Sequence, residues 1–94
     1  MQFKDLEWKD VISDNVIVCS HCEINLCGWI NIEFKINHEP KEGKYMLYAF
    51  GKGSIRRLQP EKYCSVESAK NAAYRVYSNE MERIKRAVDY LVYV

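Results

Sequence analysis

Apolar residues recur at steps of three and four in the last third of the chain: Val66, Ala69, Ala73, Val76 and Tyr77, then Met81, Ile84, Val88 and Leu91. That rhythm matches the turn of an α-helix and predicts one long amphipathic helix over about 65–91. Ser65 stands where an N-cap hydroxyl can accept from the free N–H groups of the first turn, and Glu67 suits the positive end of the helix dipole. Cys64 and Ala69 have the spacing of a small hydrophobic staple, while Ser68 occupies the place where a capping box would carry Glu or Gln. Lys70, Arg75, Glu82, Arg83, Lys85, Arg86 and Asp89 fall off the stripe, and Glu82 precedes Arg86 by four residues, the favourable order for a surface pair. The apolar side of this helix must cover something.

Upstream the period changes to two. In Gly28-Trp29-Ile30-Asn31-Ile32-Glu33-Phe34-Lys35-Ile36 the residues Ile30, Ile32, Phe34 and Ile36 share one face and Asn31, Glu33 and Lys35 the other, the pattern of a half-buried strand. Leu6 to Ile12 alternates imperfectly, and Ser13-Asp14-Asn15 supplies turn chemistry before Val16-Ile17-Val18-Cys19, which together predict a hairpin. A short first helix over Phe3 to Ile12 is the competing reading. Ser20 to Asn25 reads as a polar connection and Asn37 to Lys44 as a loop. Tyr45 to Phe50 reads as a strand too apolar to assign a single buried face. Gly51-Lys52-Gly53 breaks it, Ser54 to Leu58 makes a short basic strand, and Gln59 to Tyr63 leads into the helix. The expected fold is therefore α+β: an antiparallel four- to five-stranded meander over about 6–58, covered on one face by the C-terminal helix.

Length and charge narrow the picture little. Ninety-four residues fit a single domain over 1–94. The net charge of +1 argues for neither nucleic acid nor membrane as a general partner. The halves differ: residues 1–50 carry five Lys against eight acids, and residues 51–94 carry nine Lys and Arg against five. The opening residues lack the basic-then-apolar order of a signal peptide and no apolar run reaches the length of a membrane span, so a cytoplasmic protein with four reduced Cys is expected.

Candidate chemistry is sparse. Cys19, Cys22 and Cys27 have a C-x2-C-x4-C spacing that could begin a zinc site, with His21, His38 or Cys64 as a fourth ligand. No second knuckle accompanies it, so packed thiols with no cofactor is the preferred reading. Gly51-Lys52-Gly53-Ser54 lacks the spacing and the following helix of a phosphate loop and reads as a turn. Lys52, Arg56, Arg57 and Lys62 form the densest basic cluster and define an alternative, a small nucleic-acid-binding module. The same charges also serve to keep an edge strand from pairing. Neither His has a local nucleophile or acid in a catalytic arrangement, so no enzyme activity is expected.

The helix itself offers the remaining site. Tyr74, Tyr77, Met81, Ile84, Val88 and Leu91 alternate steps of three and four, a rhythm that serves helix interfaces. A helix of this length spans about 40 Å, more than the roughly 30–35 Å of a compact domain of this size, so it overhangs or breaks at Ser78-Asn79. An overhang makes Met81, Arg83, Ile84, Val88, Tyr90 and Leu91 the candidate partner-binding residues, for another protein or for a second copy in a homodimer through this helix.

The order of features resembles a group of small phage and prophage proteins. It runs Trp8, Cys19 closing a hairpin, Leu26-Cys27-Gly28-Trp29-Ile30-Asn31-Ile32, Tyr45-Met46-Leu47 and Ser65-Val66-Glu67-Ser68-Ala69-Lys70. Members of the group read Trp, Ala, Leu-x-Gly-Tyr-x-Ile, Tyr-x-Leu and Ser-x-Glu-x-Ala-Lys in the same order, and here Cys19 replaces the Ala and Trp29 the Tyr. The resemblance implies a sheet followed by one helix. It also implies membership of a pool rich in proteins that bind and occlude host machinery, anti-CRISPR and other anti-defence inhibitors among them, in the host cytoplasm.

Overall fold

The computed structural model describes residues 5–26, 30–51 and 61–92. Five strands and one helix follow in order: β1 (Lys9–Ser13), β2 (Val16–Leu26), β3 (Ile30–Glu39), β4 (Lys44–Gly51), β5 (Glu61–Tyr63) and α1 (Val66–Val92). Each strand pairs antiparallel with the next, giving an open sheet of order β1-β2-β3-β4-β5. The chain is an α+β fold of one sheet and one closing helix.

Local chemistry fixes the hairpins. Asp14 and Asn15 both adopt positive φ, 51° and 63°, the two-residue turn whose twist matches the strands it joins. Gly43, at φ 64°, closes the turn from β3 to β4, where a side chain would be strained. Residues 20–25 do not form the expected polar connection: β2 runs straight through them to Leu26. Their polar members His21, Glu23 and Asn25 occupy one face of a continuous strand, while Ser20, Cys22 and Ile24 occupy the other. Likewise β3 continues through Asn37, His38 and Glu39, and Glu61–Tyr63, expected as a lead-in, pairs with β4 as the last strand. The basic strand expected over 54–58 lies outside the described residues. β1 is shorter than expected, because residues 5–8 precede it without regular structure.

The core lies between the sheet and α1. Ile32, Phe34 and Ile36 are almost wholly buried, flanked by Cys22 from β2 and Leu47 and Ala49 from β4. Above them lie Ala69, Ala72, Ala73, Tyr77 and Met81. Three alanines on the covering side let the helix approach the sheet closely enough to enclose Phe34. The helix packs over β3, β4 and β5. Over β2 the cover is completed by Leu6 and Trp8, whose ring lies 6.4 Å from that of Phe34.

The start of α1 is capped as its sequence implies. The Ser68 N–H donates to the Ser65 hydroxyl at 3.1 Å, and the Ala69 N–H to the Ser65 carbonyl at 3.2 Å. The helix is unbroken through Ser78 and Asn79, since the Ser78 hydroxyl donates to the carbonyl of Arg75 at 3.2 Å within the helix. Cys64 is exposed, so no staple forms with the buried Ala69.

One polar network ties the edge strand to the helix. The fully buried Ser20 hydroxyl donates to Asp10 of β1, and the Lys70 ammonium of α1 donates to the same carboxylate at 3.1 Å while lying 5.6 Å above the Trp8 ring. The Ser20 hydrogen bond, followed by Lys70, holds the Asp10 carboxyl below its usual range. A depressed carboxyl stabilises the fold in full above its unfolded pKa of about 3.9 and loses that contribution as pH falls through the folded value. Asp10→Ala strands a buried hydroxyl and is expected to cost roughly 1–3 kcal/mol at neutral pH by urea denaturation. The variant should also lose part of the native chain's decline in stability below about pH 4.

Candidate interaction site

The helix stripe is consumed by the sheet only part of the way. Met81 is buried and Ile84 packs against the core, but from Lys85 to Leu91 every side chain is exposed. The helix of 27 residues is about 40 Å long, and the molecule measures 56 × 22 × 21 Å. The last two turns stand clear of the sheet. Val88, Tyr90 and Leu91 are 50%, 84% and 79% exposed.

At 100° per residue, Ile84, Ala87, Val88, Tyr90 and Leu91 span an apolar arc of roughly 160° around this end of the helix. The opposite arc is polar and satisfied from within. Lys85 pairs with Asp89 at 2.9 Å and Arg86 with Glu82 at 3.6 Å, while one turn earlier Arg83 pairs with Glu80 at 2.7 Å. The overhang is thus a self-neutralised polar face backed by an apolar one wider than the seam of a coiled coil. Of the six expected partner residues, Val88, Tyr90 and Leu91 are presented, Ile84 lies at the margin, and Arg83 is engaged within the helix. Met81 is corrected: it belongs to the core, because the sheet reaches one turn further along α1 than the stripe alone indicated.

The other candidate sites come apart. Cys19 and Cys22 sit three apart on one strand and so face opposite sides of the sheet, and Cys22 is 98% buried with its thiol pushed up by desolvation. A shared ion would need a turn there, and β2 supplies none. Cys27 lies outside the described residues, among which no group of ligating side chains converges. His21 is on the uncovered sheet face, 3.0 Å from Glu33, whereas His38 is on the covered side with its ring 4.9 Å from Tyr45. Lys62 pairs with Glu42 at 2.6 Å, tying β5 to the β3–β4 turn, and Lys52, Arg56 and Arg57 lie outside the described residues. The hydroxyl, carboxylate and ammonium of Ser20, Asp10 and Lys70 do converge, but a fully buried hydroxyl cannot meet a substrate. A crevice beside Leu6, Cys22, Ile24 and Tyr77 is partly open to solvent. No helix among the described residues is long and apolar enough to cross a membrane.

No protein-family description, curated protein or solved structure matches the chain. The geometry stands on its own residues.

The two parts of the stripe are expected to respond differently to truncation. Met81→Ala should cost roughly 2–5 kcal/mol in urea unfolding, as a buried side chain does. Leu91→Ser should stay within about 0.5 kcal/mol of the native chain, as at an exposed position.

Proposed function

We propose that this is a non-enzymatic binding protein of the phage accessory type, acting by protein–protein contact through the overhanging end of α1. The observation that carries the reading is the exposure of Val88, Tyr90 and Leu91 on a helix whose polar side is already paired. An apolar arc of this width suits insertion into a hydrophobic groove, the mode in which an amphipathic helix offers anchors at steps of three and four. Exposed aromatic and aliphatic side chains at one tip also match the composition of binding hot spots, in which a few anchors carry most of the energy.

Inhibition of a host defence complex by occlusion, as anti-CRISPR proteins act, is the activity this reading favours, and the host cytoplasm is where it would operate. The resemblance in the order of Trp8, Tyr45-Met46-Leu47 and Ser65 to Lys70 supports it. It requires no cofactor and no turnover, only a rigid helix end held by a folded sheet.

The triple variant Val88→Ser, Tyr90→Ser, Leu91→Ser tests it. Its circular dichroism and melting temperature should match the native chain, and the host proteins that native protein retains from a bacterial lysate, measured by quantitative mass spectrometry, should fall at least tenfold. Undiminished retention of the same proteins would move the contact elsewhere.

A further inference from the structure

The side of the sheet away from α1 is uncovered among the described residues, yet it is not uniformly polar. β4 places Met46, Tyr48 and Phe50 on it, half-buried, at alternate positions. Tyr45 to Phe50 is too apolar for a one-sided strand for this reason: its second apolar column faces away from the helix.

The strand registers arrange the charges of this face in two rows. In one, Lys9 of β1, His21 of β2, Lys35 of β3 and Tyr48 of β4 are direct lateral neighbours. In the next, one step along the strands, Glu23, Glu33 and Phe50 are lateral neighbours. The second row sets the Glu23 and Glu33 carboxylates directly opposite each other, which is unfavourable in an isolated sheet, while in the first row His21 stands between Lys9 and Lys35. His21 answers Glu33 diagonally at 3.0 Å, but Glu23 and Glu33 remain directly opposed. Lys9 and Lys35, like Lys41, Lys44 and Arg75, make no ion pair among the described residues, so the cations of this face are available to a partner.

We propose that this face is the interface of a symmetric homodimer, in which two copies stack sheet on sheet about a two-fold axis running across the strands between the two rows. That operator sets the basic row of each copy over the acidic row of the other. Lys35 then faces Glu33 of the second copy, His21 faces Glu23 of the second copy, and Tyr48 stacks against Phe50 of the second copy. A two-fold interface is one patch meeting itself, so a surface suited to it must be self-complementary, and these adjacent rows of opposite sign are. An axis parallel to the strands and over the central strand β3 would instead oppose Lys35 to its own copy.

Area also favours this face for a second copy. Strands about 4.8 Å apart with a rise of about 3.3 Å per residue make it roughly 20 Å by 30 Å, on the order of 600 Å² before side-chain relief is added. A stable interface takes roughly 800 Å² from each partner. The overhang of α1, about 10 Å of helix, falls far short of that for a second copy and is left free on the outside of the dimer. The two sheets would pack at the usual spacing of about 10 Å, with the charged pairs of β2 and β3 in the middle and Tyr48 and Phe50 of the two β4 strands packed to one side.

Charge reversal tests the operator. Sedimentation equilibrium or light scattering should give native protein twice the chain mass at micromolar to sub-millimolar concentrations. Lys35→Glu alone sets carboxylates against Glu33 of the other copy, and Glu33→Lys alone sets ammoniums against Lys35; each variant should run as a folded monomer by mass and circular dichroism. Mixed in equal amounts, the two variants should recover the dimer mass, because every contact across the mixed pair then joins opposite signs. The triple helix-end variant should remain dimeric. A monomeric native chain, a dimer indifferent to both reversals, a mixture that stays monomeric, or a dimer lost only in the helix-end variant would each overturn the proposal.

Discussion

The structure depends on one helix covering one face of one sheet. A two-layer fold has a single interior, so each apolar side chain outside that layer is left to water or to a partner. Here the interior is narrow, built from alternate residues of β2, β3 and β4 beneath Ala69, Ala72, Ala73, Tyr77 and Met81. Small helix residues over large sheet residues bring the layers close and make Phe34 and its neighbours the deepest part of the fold. The helix is longer than the face it covers, and the sheet carries more apolar surface than one helix can hide. Both surfaces proposed for binding follow from that mismatch.

The edge of this interior is held differently from its centre. Over β2 the helix gives only partial cover, and Leu6 and Trp8 from a segment with no regular structure complete it. A segment of that kind needs anchoring, and the carboxylate of Asp10 provides it by joining β1, the buried Ser20 and Lys70 of the helix. Lys70 serves twice, since its ammonium also lies over the Trp8 ring. The polar network therefore substitutes for packing where the helix runs out.

Much of this architecture is written in the residues. The period of α1, its Ser65 cap, the alternation of β3 and the apolar density of β4 each point to one structure, and each forms. What was harder to read has physical causes. Ser20 to Asn25 contains four polar residues, and its alternation of Cys22, Ile24 and Leu26 is hidden because Ser20, polar by type, is buried through a partner ten residues away on β1. β5 is three residues long and owes its existence to pairing with β4, a tertiary effect that no local pattern announces. Cys19 and Cys22 part for a related reason: C-x2-C brings thiols together on a turn and separates them on a strand. The helix end was legible as an excess of length, but where the cover stops depends on the reach of β4 and so places Met81 inside.

The two uncovered surfaces differ in what they can bind, and the difference lies in how their charges are satisfied. On the helix end, every cation has its acid within one turn, so the polar arc makes no demand on a partner and the apolar arc alone selects what binds. Such a surface discriminates by shape and is open to any groove of the right width. On the sheet face, Lys9 and Lys35 make no ion pair among the described residues and Glu23 and Glu33 oppose each other, so charge pattern decides, and the pattern fits its own copy turned through two-fold symmetry. A chain with both surfaces can dimerise through one without hiding the other. Doubling the helix ends in that way would present two apolar tips from one rigid body, which raises the effective concentration of the second tip once the first has bound.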